Sequence, residues 1–433
     1  LAFVSSSFSN GHGRRISKMA TAWLLLCTIV FSGYGQELGL DSLKASTFPY
    51  ASEKLLGDAV AMSEKIGQLL IHGETVQVME SASKILHRPP KKKSWALYNP
   101  SLLQLSWRGE LVFLLTYRAG TWQLCRWDGR SSPLASLPEV DGRNQATSKV
   151  MAAIVRKDFS TLVPVHELLD QKYTEHSCLH STGMRRVGID DSRLFSLADK
   201  PYALFAGVAP VGQDYPCQHR QYLCALQLPD DIGSSSKVRC QKKILLTFAF
   251  ADELSERMLR QDRLGSVHQK NWMPFVANNE LYLIFTIEPL RVMHVDVETG
   301  LCSHVSLVRT PALSALHPRE DEFRGHGGPA LVQLGSELLG MARVQSGNLL
   351  YSHFFFTLRV AKEPSSSAPV TVSRVSRLLC FGSTTRGLCE VIQFVGGLHI
   401  DKEQLVITYG VNDCEPKVTT MALSDVVALL TPN

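Results

Sequence analysis

From Trp95 onward the chain consists of short apolar segments that are typical of β-strands and are separated by turn sequences. Residues 111–117 and 281–287 are two such segments, and the turn sequences WRGE (107–110) and ANNE (277–280) stand directly before them. Further segments lie at residues 202–207, 244–250, 292–297, 350–358 and 404–409. Many short strands with regular turns and few helices predict an all-β fold of the sandwich, barrel or propeller type.

The length of this region narrows the choice of architecture. The chain has 433 residues, and the strand-rich part spans about 340 of them, which is too long for one sandwich. Four-stranded sheets repeated around an axis fit this length better, at roughly 68 residues for each of five sheets. We therefore expect residues 94–433 to form a five-bladed β-propeller.

The N-terminal segment has the layout of a secretory signal. Basic residues precede Met19, an apolar run follows at 20–31, and small residues continue to Gly35. The run is shorter than the ~20 residues needed to span a bilayer. We expect residues 1–35 to be upstream sequence plus a signal peptide or signal-anchor, with cleavage near Gly35 favoured over a retained Golgi-type anchor. The protein would then belong to the secretory pathway, either secreted or in the ER or Golgi lumen, and would touch a membrane only through such an anchor.

Residues 36–93 are expected to form a helical extension and a basic linker. Apolar residues such as Leu55, Ala59, Met62 and Ile66 recur at three- and four-residue steps, which predicts a helix within 50–86 packed on the main domain. The sequence HRPPKKK at 87–93 then ends the pattern, because two prolines and a charge run mark a boundary.

The cysteines favour an oxidising compartment. Ten are present, and nine remain if Cys27 is removed with the signal, so at least one stays unpaired. Cys217 and Cys224 are the closest local candidates for a disulfide.

Nucleic acid and metal ions are not expected as partners. The 45 basic and 40 acidic residues nearly balance, whereas nucleic acid requires a concentrated basic face. His176, Cys178 and His180 have a spacing that allows metal ligation from one side of a strand, but no second ligand pair accompanies them.

Polar residues recur in five sets along the strand-rich region, whereas nucleophile elbows, phosphate-binding loops and dinucleotide fingerprints are missing. The sets are YNPS (98–101) before a strand that ends at Arg118, GIDDSRLF (188–195), KNWMPF (270–275), FRGHGGP (323–329), and VGGL (395–398) with YGVNDC (409–414). In a propeller the innermost strand of each blade lines a central channel, so one set per blade would converge there. Carboxylate, guanidinium, amide and indole groups together suit a sugar and a phosphate.

At these residues the chain resembles the five-bladed β-mannoside phosphorylases and mannosidases of glycoside hydrolase family 130 and their eukaryotic mannosyltransferase-phosphorylase relatives. The resemblance covers residues 95–432 and rests on the order and spacing of the motifs. NPS at 99–101, KNWMP at 270–274, RGHGGP at 324–329, YSHF at 351–354 and YGVND at 409–413 are similar to family motifs. DDSRLF at 190–195 is similar to the segment that carries the family's catalytic aspartate, which corresponds to Asp191.

The resemblance implies an enzyme that cleaves or forms β-mannosidic or related bonds, by inverting phosphorolysis or hydrolysis with one aspartate acid, Asp191. An oligosaccharide or glycan would be the substrate, with inorganic phosphate as a co-substrate and no cofactor or metal. The residues implied to bind substrate or phosphate are Asn99, Arg118, Asp190, Arg193, Lys270, Asn271, Trp272, Arg324, His353, Tyr409 and Asp413.

The chain departs from the family pattern at three positions. Ser192 stands where relatives have proline, Asp190 replaces glutamate, and Ala342 lies where relatives carry a histidine that helps to hold the anion. Arg343 offers a cation beside that position. Two other functions stay open: an inactive propeller that binds glycans or proteins, and a mannosyltransferase, although no Asp-x-Asp motif for a metal-bound sugar nucleotide is present.

Several of the implied site residues also have a structural interpretation. Trp272 suits the rim of the core as well as a sugar platform, and His353 suits a buried core position. Arg118 and Arg324 suit ion pairs between blades, and Asp413 suits a turn.

Overall fold

The computed structural model describes residues 77–79, 83–86, 95–121, 139–140, 143–168, 177–179, 185–208, 219–231, 236–248, 271–310, 313, 327–345, 351–361, 370–382 and 392–432. The predicted signal segment at 1–35 lies outside these residues. The described part of the chain is nearly all β-strand, with a helix α1 at Leu423–Leu429, so the all-β prediction is confirmed. No described helix combines the length and the apolar character needed to cross a bilayer.

The strands, in chain order, are β1 (Gln77–Met79), β2 (Lys84–Ile85), β3 (Ala96–Trp107), β4 (Glu110–Gly120), β5 (Glu139–Val140), β6 (Arg143–Val155), β7 (Thr161–Glu167), β8 (Ser177–Leu179), β9 (Arg185–Leu197), β10 (Lys200–Val208), β11 (His219–Gln227), β12 (Arg239–Leu245), β13 (Thr247–Phe248), β14 (Met273–Ala277), β15 (Glu280–Ile287), β16 (Leu290–Val295), β17 (Leu301–Val308), β18 (Val332–Leu334), β19 (Glu337–Gln345), β20 (Tyr351–Val360), β21 (Val370–Ser376), β22 (Leu379–Phe381), β23 (Gln393–Asp401), β24 (Gln404–Val411), β25 (Glu415–Ala422) and β26 (Leu430–Pro432).

Antiparallel pairing groups most of these strands into five four-stranded sets, here called sheets 1 to 5. Sheet 1 is β3-β4-β6-β7, sheet 2 is β9-β10-β11-β12, sheet 3 is β14 to β17, and sheet 4 is β18 to β21. Sheet 5 is β23-β24-β25 with β2 as its fourth strand. A short parallel pairing between β6 and β9 joins sheets 1 and 2 into one hydrogen-bonded layer.

Two strands correct the helix expected within 50–86. Lys84–Ile85 pairs antiparallel with β25, and Gln77–Met79 pairs parallel with β22. The helical prediction is therefore wrong for these segments, and the rest of its stripe lies outside the described residues. The physical reason is that an open sheet edge carries unpaired backbone groups, and pairing with it overrides a local helical period.

Tight hairpin turns define the strand ends where the sequence predicts them. Arg108 and Gly109 have φ values of 55° and 81°, and Asn278 and Asn279 have 52° and 61°. Two successive residues with positive φ match the twist of a two-residue hairpin. The predicted strand at 244–250 is different, because β12 ends at Leu245 and β13, which pairs with β17 of sheet 3, begins at Thr247.

Hydrophobic clusters lie between consecutive sheets and hold them together. Four clusters join sheets 1 and 2, 2 and 3, 3 and 4, and 4 and 5. A fifth cluster joins sheet 5 back to sheet 1, where Val406 and Val418 pack with Phe113 and Leu115. Each sheet therefore buries apolar side chains against a neighbour on both of its faces.

The disulfide in sheet 2 differs from the expected pairing. Cys224 on β11 bonds to Cys240 on β12, with a Cα–Cα distance of 5.8 Å, whereas Cys217 lies outside the described residues. The hairpin register brings these two cysteines together, and the sequence alone does not show that register. Cys380 and Cys414 each form a disulfide as well. Cys302 is a buried free thiol.

Candidate active site

The first strands of sheets 1, 2, 3 and 5 are in contact, and their polar residues lie close together there. β3 contacts both β9 and β23, and β9 also contacts β14. β3 has a register irregularity between Tyr98 and Ser101, where Asn99 adopts a φ of 48°. A side chain at Gly410 on β24 would collide with the Asn99 side chain, so glycine is what lets Asn99 sit at this crossing.

Asp191 lies at this crossing and is oriented by one neighbour. Asn99 donates from Nδ2 to Oδ1 of Asp191 over 2.8 Å. Nη1 of Arg118 is 3.8 Å from the same oxygen, and the Asp191 side chain is 9% exposed. No described residue donates a hydrogen bond to Oδ2, so one carboxylate oxygen is held and the other is available.

Asp190, the preceding residue, is bound through one oxygen and has basic side chains near the other. Its Oδ1 lies 2.7 Å from Nη2 of Arg118 and accepts a 3.2 Å hydrogen bond from the Ser148 hydroxyl. Its Oδ2 lies 3.4 Å from Nε2 of His219 and 3.9 Å from Nη2 of Arg186. These contacts tie sheets 1 and 2 together, and they give Asp190 a positioning role next to Asp191.

Arg118 is the cation shared by the two aspartates. Burial by itself lowers the pKa of Arg118, but Asp190, Tyr98, Asp191 and Asp413 act in the opposite direction, and the pKa is raised overall. The guanidinium therefore stays charged, and it also lies 5.4 Å from the centre of the Tyr98 ring. Its ion pair connects two strands of sheets 1 and 2, and it is adjacent to the Asp191 carboxylate at the same time.

Arg193 fastens sheet 2 to the turns that precede sheets 3 and 4. It donates from Nε to the Gly328 carbonyl over 2.6 Å and from Nη2 to Oδ1 of Asn271 over 3.3 Å. It also donates from Nη1 to the Ser192 carbonyl over 2.9 Å. Burial lowers the pKa of Arg193 to about 10, with Asp191 opposing and Arg343 adding to that effect. Arg193 is therefore a clamp between sheets, and Asn271 is its partner.

Asp413 is a second carboxyl group near the first. It is half-buried in the turn after β24, with a φ of 48°. Its pKa is raised overall, chiefly because the carboxyl group is buried. The cations Arg118 and Arg186 lower the pKa, and the carboxylates of Asp191 and Asp190 raise it. Asp413 is thus close enough to respond to the charges of the crossing.

Three of the implied site residues lie within apolar surroundings. Trp272 is 2% exposed, belongs to the cluster between sheets 2 and 3, and contacts Phe285 edge-on at 5.3 Å. His353 is 1% exposed beside Phe381, and Tyr409 is fully buried and stacks on Phe381 at 4.6 Å. Trp272 therefore has the core position that the sequence left open, rather than a face available to a sugar.

Lys270 and Arg324, which the sequence assigns to substrate or phosphate, lie outside the described residues. His176 and His180 do too, and the described part of the chain holds no group of three or more potential metal ligands. Ser148 and His219, which hold Asp190, were not found by sequence reasoning. No motif marks them. The pairing of β6 with β9 brings Ser148 to Asp190, and the strand order within sheet 2 brings His219 there.

No protein-family model and no curated protein matches the chain. Solved structures are similar to the chain over most of its length. The β-1,2-mannobiose phosphorylase of Listeria innocua, in a complex with β-1,2-mannobiose, gives a TM-score of 0.47 at 13% identity and covers 80% of this chain and 96% of its own. MPT-4, a mannose phosphorylase of Leishmania mexicana in complex with phosphate ion, gives 0.44 at 10% identity and covers 88% and 96%.

A third similar structure comes from work on GH130, a family of mannoside phosphorylases that contains glycoside hydrolases targeting β-1,2 mannosidic linkages in Candida mannan. It gives a TM-score of 0.45 at 9% identity and covers 81% of this chain and 97% of its own. Mannoside phosphorylases, the enzymes that the sequence motifs resemble, are therefore among the structures similar to this chain. Similarity at these TM-scores and identities does not by itself assign a fold or an activity to this chain.

Proposed function

We propose that this chain is a carbohydrate-active enzyme that cleaves or forms β-mannosidic or related bonds, with Asp191 as its acid. The observation that carries the proposal is the contrast between two adjacent carboxylates. Asp190 is enclosed by polar neighbours, with Arg118 and Ser148 bound to Oδ1 and His219 3.4 Å from Oδ2, whereas Asp191 is oriented by Asn99 on one oxygen and has the other available. A positioned carboxylic acid with an available oxygen is what protonation of a glycosidic oxygen requires.

The proposal includes a five-bladed β-propeller as the scaffold. Five four-stranded sheets and five hydrophobic clusters, the last of which returns from sheet 5 to sheet 1, support closure of the sheets into a ring. The first strand of each blade would then line a central channel. β2 would act as the fastening strand, since it lies before sheet 1 in the chain and completes sheet 5.

In the proposed reaction, Asp191 protonates the glycosidic oxygen, directly or through a sugar hydroxyl, as the bond from that oxygen to the anomeric carbon breaks. An ionised phosphate oxygen, or the oxygen of a water that releases one proton to solvent, forms the new bond from the opposite face, which inverts the anomeric centre. The proton ends on the leaving hydroxyl group. Arg118, Lys270 and Arg324 would neutralise an attacking phosphate. Inorganic phosphate is then a co-substrate, and no cofactor is needed.

Product analysis tests this proposal. Purified protein is incubated with β-1,2-mannobiose, with and without inorganic phosphate, and products are followed by NMR from the first minutes. We expect α-mannose 1-phosphate in the phosphorolytic case, or α-mannose as the first-formed sugar in the hydrolytic case, because inversion of a β-linkage gives the α-anomer. A first-formed β-product, or no turnover across a panel of β-mannosides, would contradict the proposed activity.

A second candidate is a propeller that binds glycans without chemistry. Ala342, where relatives carry an anion-holding histidine, is fully buried and contributes to the apolar cluster between sheets 3 and 4. That position supplies no polar group to an anion. Binding on a glycan array without release of sugar or sugar phosphate would favour this candidate, and turnover of a sugar nucleotide would favour a mannosyltransferase instead.

We also propose that the protein works in the secretory pathway. The disulfide between Cys224 and Cys240 supports an oxidising compartment, and the signal-like segment at 1–35 agrees with it. A tag at the C-terminus tests the proposal. Cells are fractionated, and the tag is detected by immunoblot in the medium, the lumenal fraction and the cytosol. Recovery in the cytosol alone would contradict it.

A further inference from the structure

Arg343 on β19 is a buried cation that has no hydrogen-bonded partner in the described part of the chain. The residue is 7% exposed, and among the described residues no acceptor receives a hydrogen bond from it and no carboxylate lies within ion-pairing distance. Burial lowers the pKa of Arg343, against the pull of Tyr351, Asp191 and Asp413. A buried guanidinium is ordinarily paired, because removing its charge from water is unfavourable without a counter-charge.

The immediate surroundings of Arg343 are aromatic rings that leave its donors unused. Its guanidinium lies 4.4 Å from the centre of the Phe394 ring and 4.8 Å from that of Tyr351. The Arg193 guanidinium lies 4.6 Å from the same Phe394 ring. Arg193 has a hydrogen bond from each of its three nitrogens, so the two arginines differ: one is satisfied by the protein and the other is not.

Further polar groups beside Arg343 are also unsatisfied. His353 faces Arg343 across the β19–β20 ladder, and neither of its ring nitrogens has a hydrogen-bond partner. Tyr409, which shares Phe381 as a neighbour with His353, has an unpaired hydroxyl. Burial, with a further contribution from Arg343, lowers the pKa of His353 to about 3, so the imidazole is neutral and one nitrogen carries a hydrogen to donate.

We infer that Arg343 is an oxyanion-binding residue, which takes a phosphate group that is either free inorganic phosphate or a phosphate carried by a sugar. A planar guanidinium with unused donors matches phosphate oxygens in two-point contact. Arg343 shares the Phe394 ring with Arg193, which stands two residues after Asp191, and Arg343 also interacts electrostatically with Asp191. The anion would therefore be bound in the neighbourhood of the proposed acid. The inference rests on the proposed function for the sugar partner.

The inference is tested by binding, independently of turnover. Inorganic phosphate and mannose 1-phosphate are titrated separately into the full-length protein by calorimetry, and the same titrations are repeated with Arg343→Met. We expect the substitution to weaken binding by roughly tenfold to hundredfold, as for loss of a charge-assisted contact. Arg359→Met is the matched control, because Arg359 lies on β20 of the same sheet, is largely exposed and pairs with Glu337. It should leave binding unchanged.

The experiment distinguishes free phosphate from phosphate carried by a sugar. It also distinguishes failure of this inference from failure of the proposed enzymatic function. Binding of phosphate alone indicates the free ion, and binding only of mannose 1-phosphate indicates a sugar-borne group. Asp191→Asn should bind phosphate as tightly as the unsubstituted chain or more tightly, even if no β-mannoside is ever turned over. If Arg343→Met shows no cooperative thermal unfolding transition, and so does not fold, Arg343→Lys is used instead. Lysine keeps the charge but loses the two-point geometry of the guanidinium. Absence of binding to the unsubstituted chain, or equal binding by the Arg343 variant, overturns the inference.

Discussion

Arg193 and Arg343 contact the same Phe394 ring, yet their removal should have opposite effects on stability. Arg193→Met takes a donor away from three acceptors, the carbonyls of Gly328 and Ser192 and the Asn271 side chain. Each buried acceptor left unpaired costs about 1–3 kcal/mol. Arg343→Met leaves no acceptor unpaired, because Arg343 donates to none of the described residues.

The second part of the balance is the burial of each charge. Burial lowers the pKa of Arg193 from 12.5 to about 10, and a shift of this size corresponds to about 3 kcal/mol that removal of the charge would return. Three unpaired acceptors at about 2 kcal/mol each outweigh that gain. We therefore expect Arg193→Met to lose about 3 kcal/mol of unfolding free energy. Arg343→Met should be neutral or more stable, because it removes an unpaired buried charge.

Urea unfolding followed by tryptophan fluorescence measures both variants against the unsubstituted chain at pH 7. The contact with Phe394 is lost in both, so it largely cancels in the comparison. Arg193→Met should also lose ligand binding, since the turns before sheets 3 and 4 lose their clamp. If Arg343→Met proves more destabilising than Arg193→Met, the assignment of one arginine to structure and the other to ligand is refuted.

Two further predictions concern the stability of single sheets. Burial raises the pKa of Glu337, but hydrogen bonds from Arg374 and Arg359 outweigh burial and lower the pKa from 4.5 to about 2. The folded-state pKa is depressed, so this stabilisation is complete above about pH 4.5 and is lost as the pH falls toward 2. Glu337→Gln should therefore lose up to about 3 kcal/mol of unfolding free energy at pH 7 and little at pH 2. Urea unfolding at both pH values measures this, and equal losses at both would contradict the prediction. Replacing both Cys224 and Cys240 with serine should lower the unfolding free energy by about 3 kcal/mol, since the bond closes a loop with a sequence separation of 16; an unchanged denaturation midpoint would count against that bond.

Local patterns were enough to predict the hairpins and the segment that carries Asp191. The turn at Asn278 and Asn279 has a short-range chemistry, positive φ at both residues, that the letters themselves express. The segment at 190–195 forms a strand, and its aspartate lies at the crossing of first strands. These features depend on a few consecutive residues, so a single sequence carries them.

Features that depend on distant pairing were missed or wrongly predicted. The short strand β2 is added to sheet 5 by pairing with β25, more than 300 residues away in the chain. Cys240 reaches Cys224 through the register of a hairpin, and Ser148 reaches Asp190 from another sheet. The motif at 270–274 predicts a substrate contact for Trp272, whereas its burial between sheets 2 and 3 follows from which sheets are neighbours.

The central claim is that Asp191, and not its better-paired neighbour, is the acid of a sugar-processing site. It is tested most directly by measuring turnover and substrate affinity of Asp191→Asn together, with the substrate identified by product analysis. Asp199→Asn is the control, because Asp199 is exposed in the turn of the same β9–β10 hairpin at a positive φ that asparagine also tolerates. We predict that kcat falls by at least about a hundredfold in Asp191→Asn, with the dissociation constant of the substrate nearly unchanged and Asp199→Asn fully active. Full activity of Asp191→Asn would contradict the account.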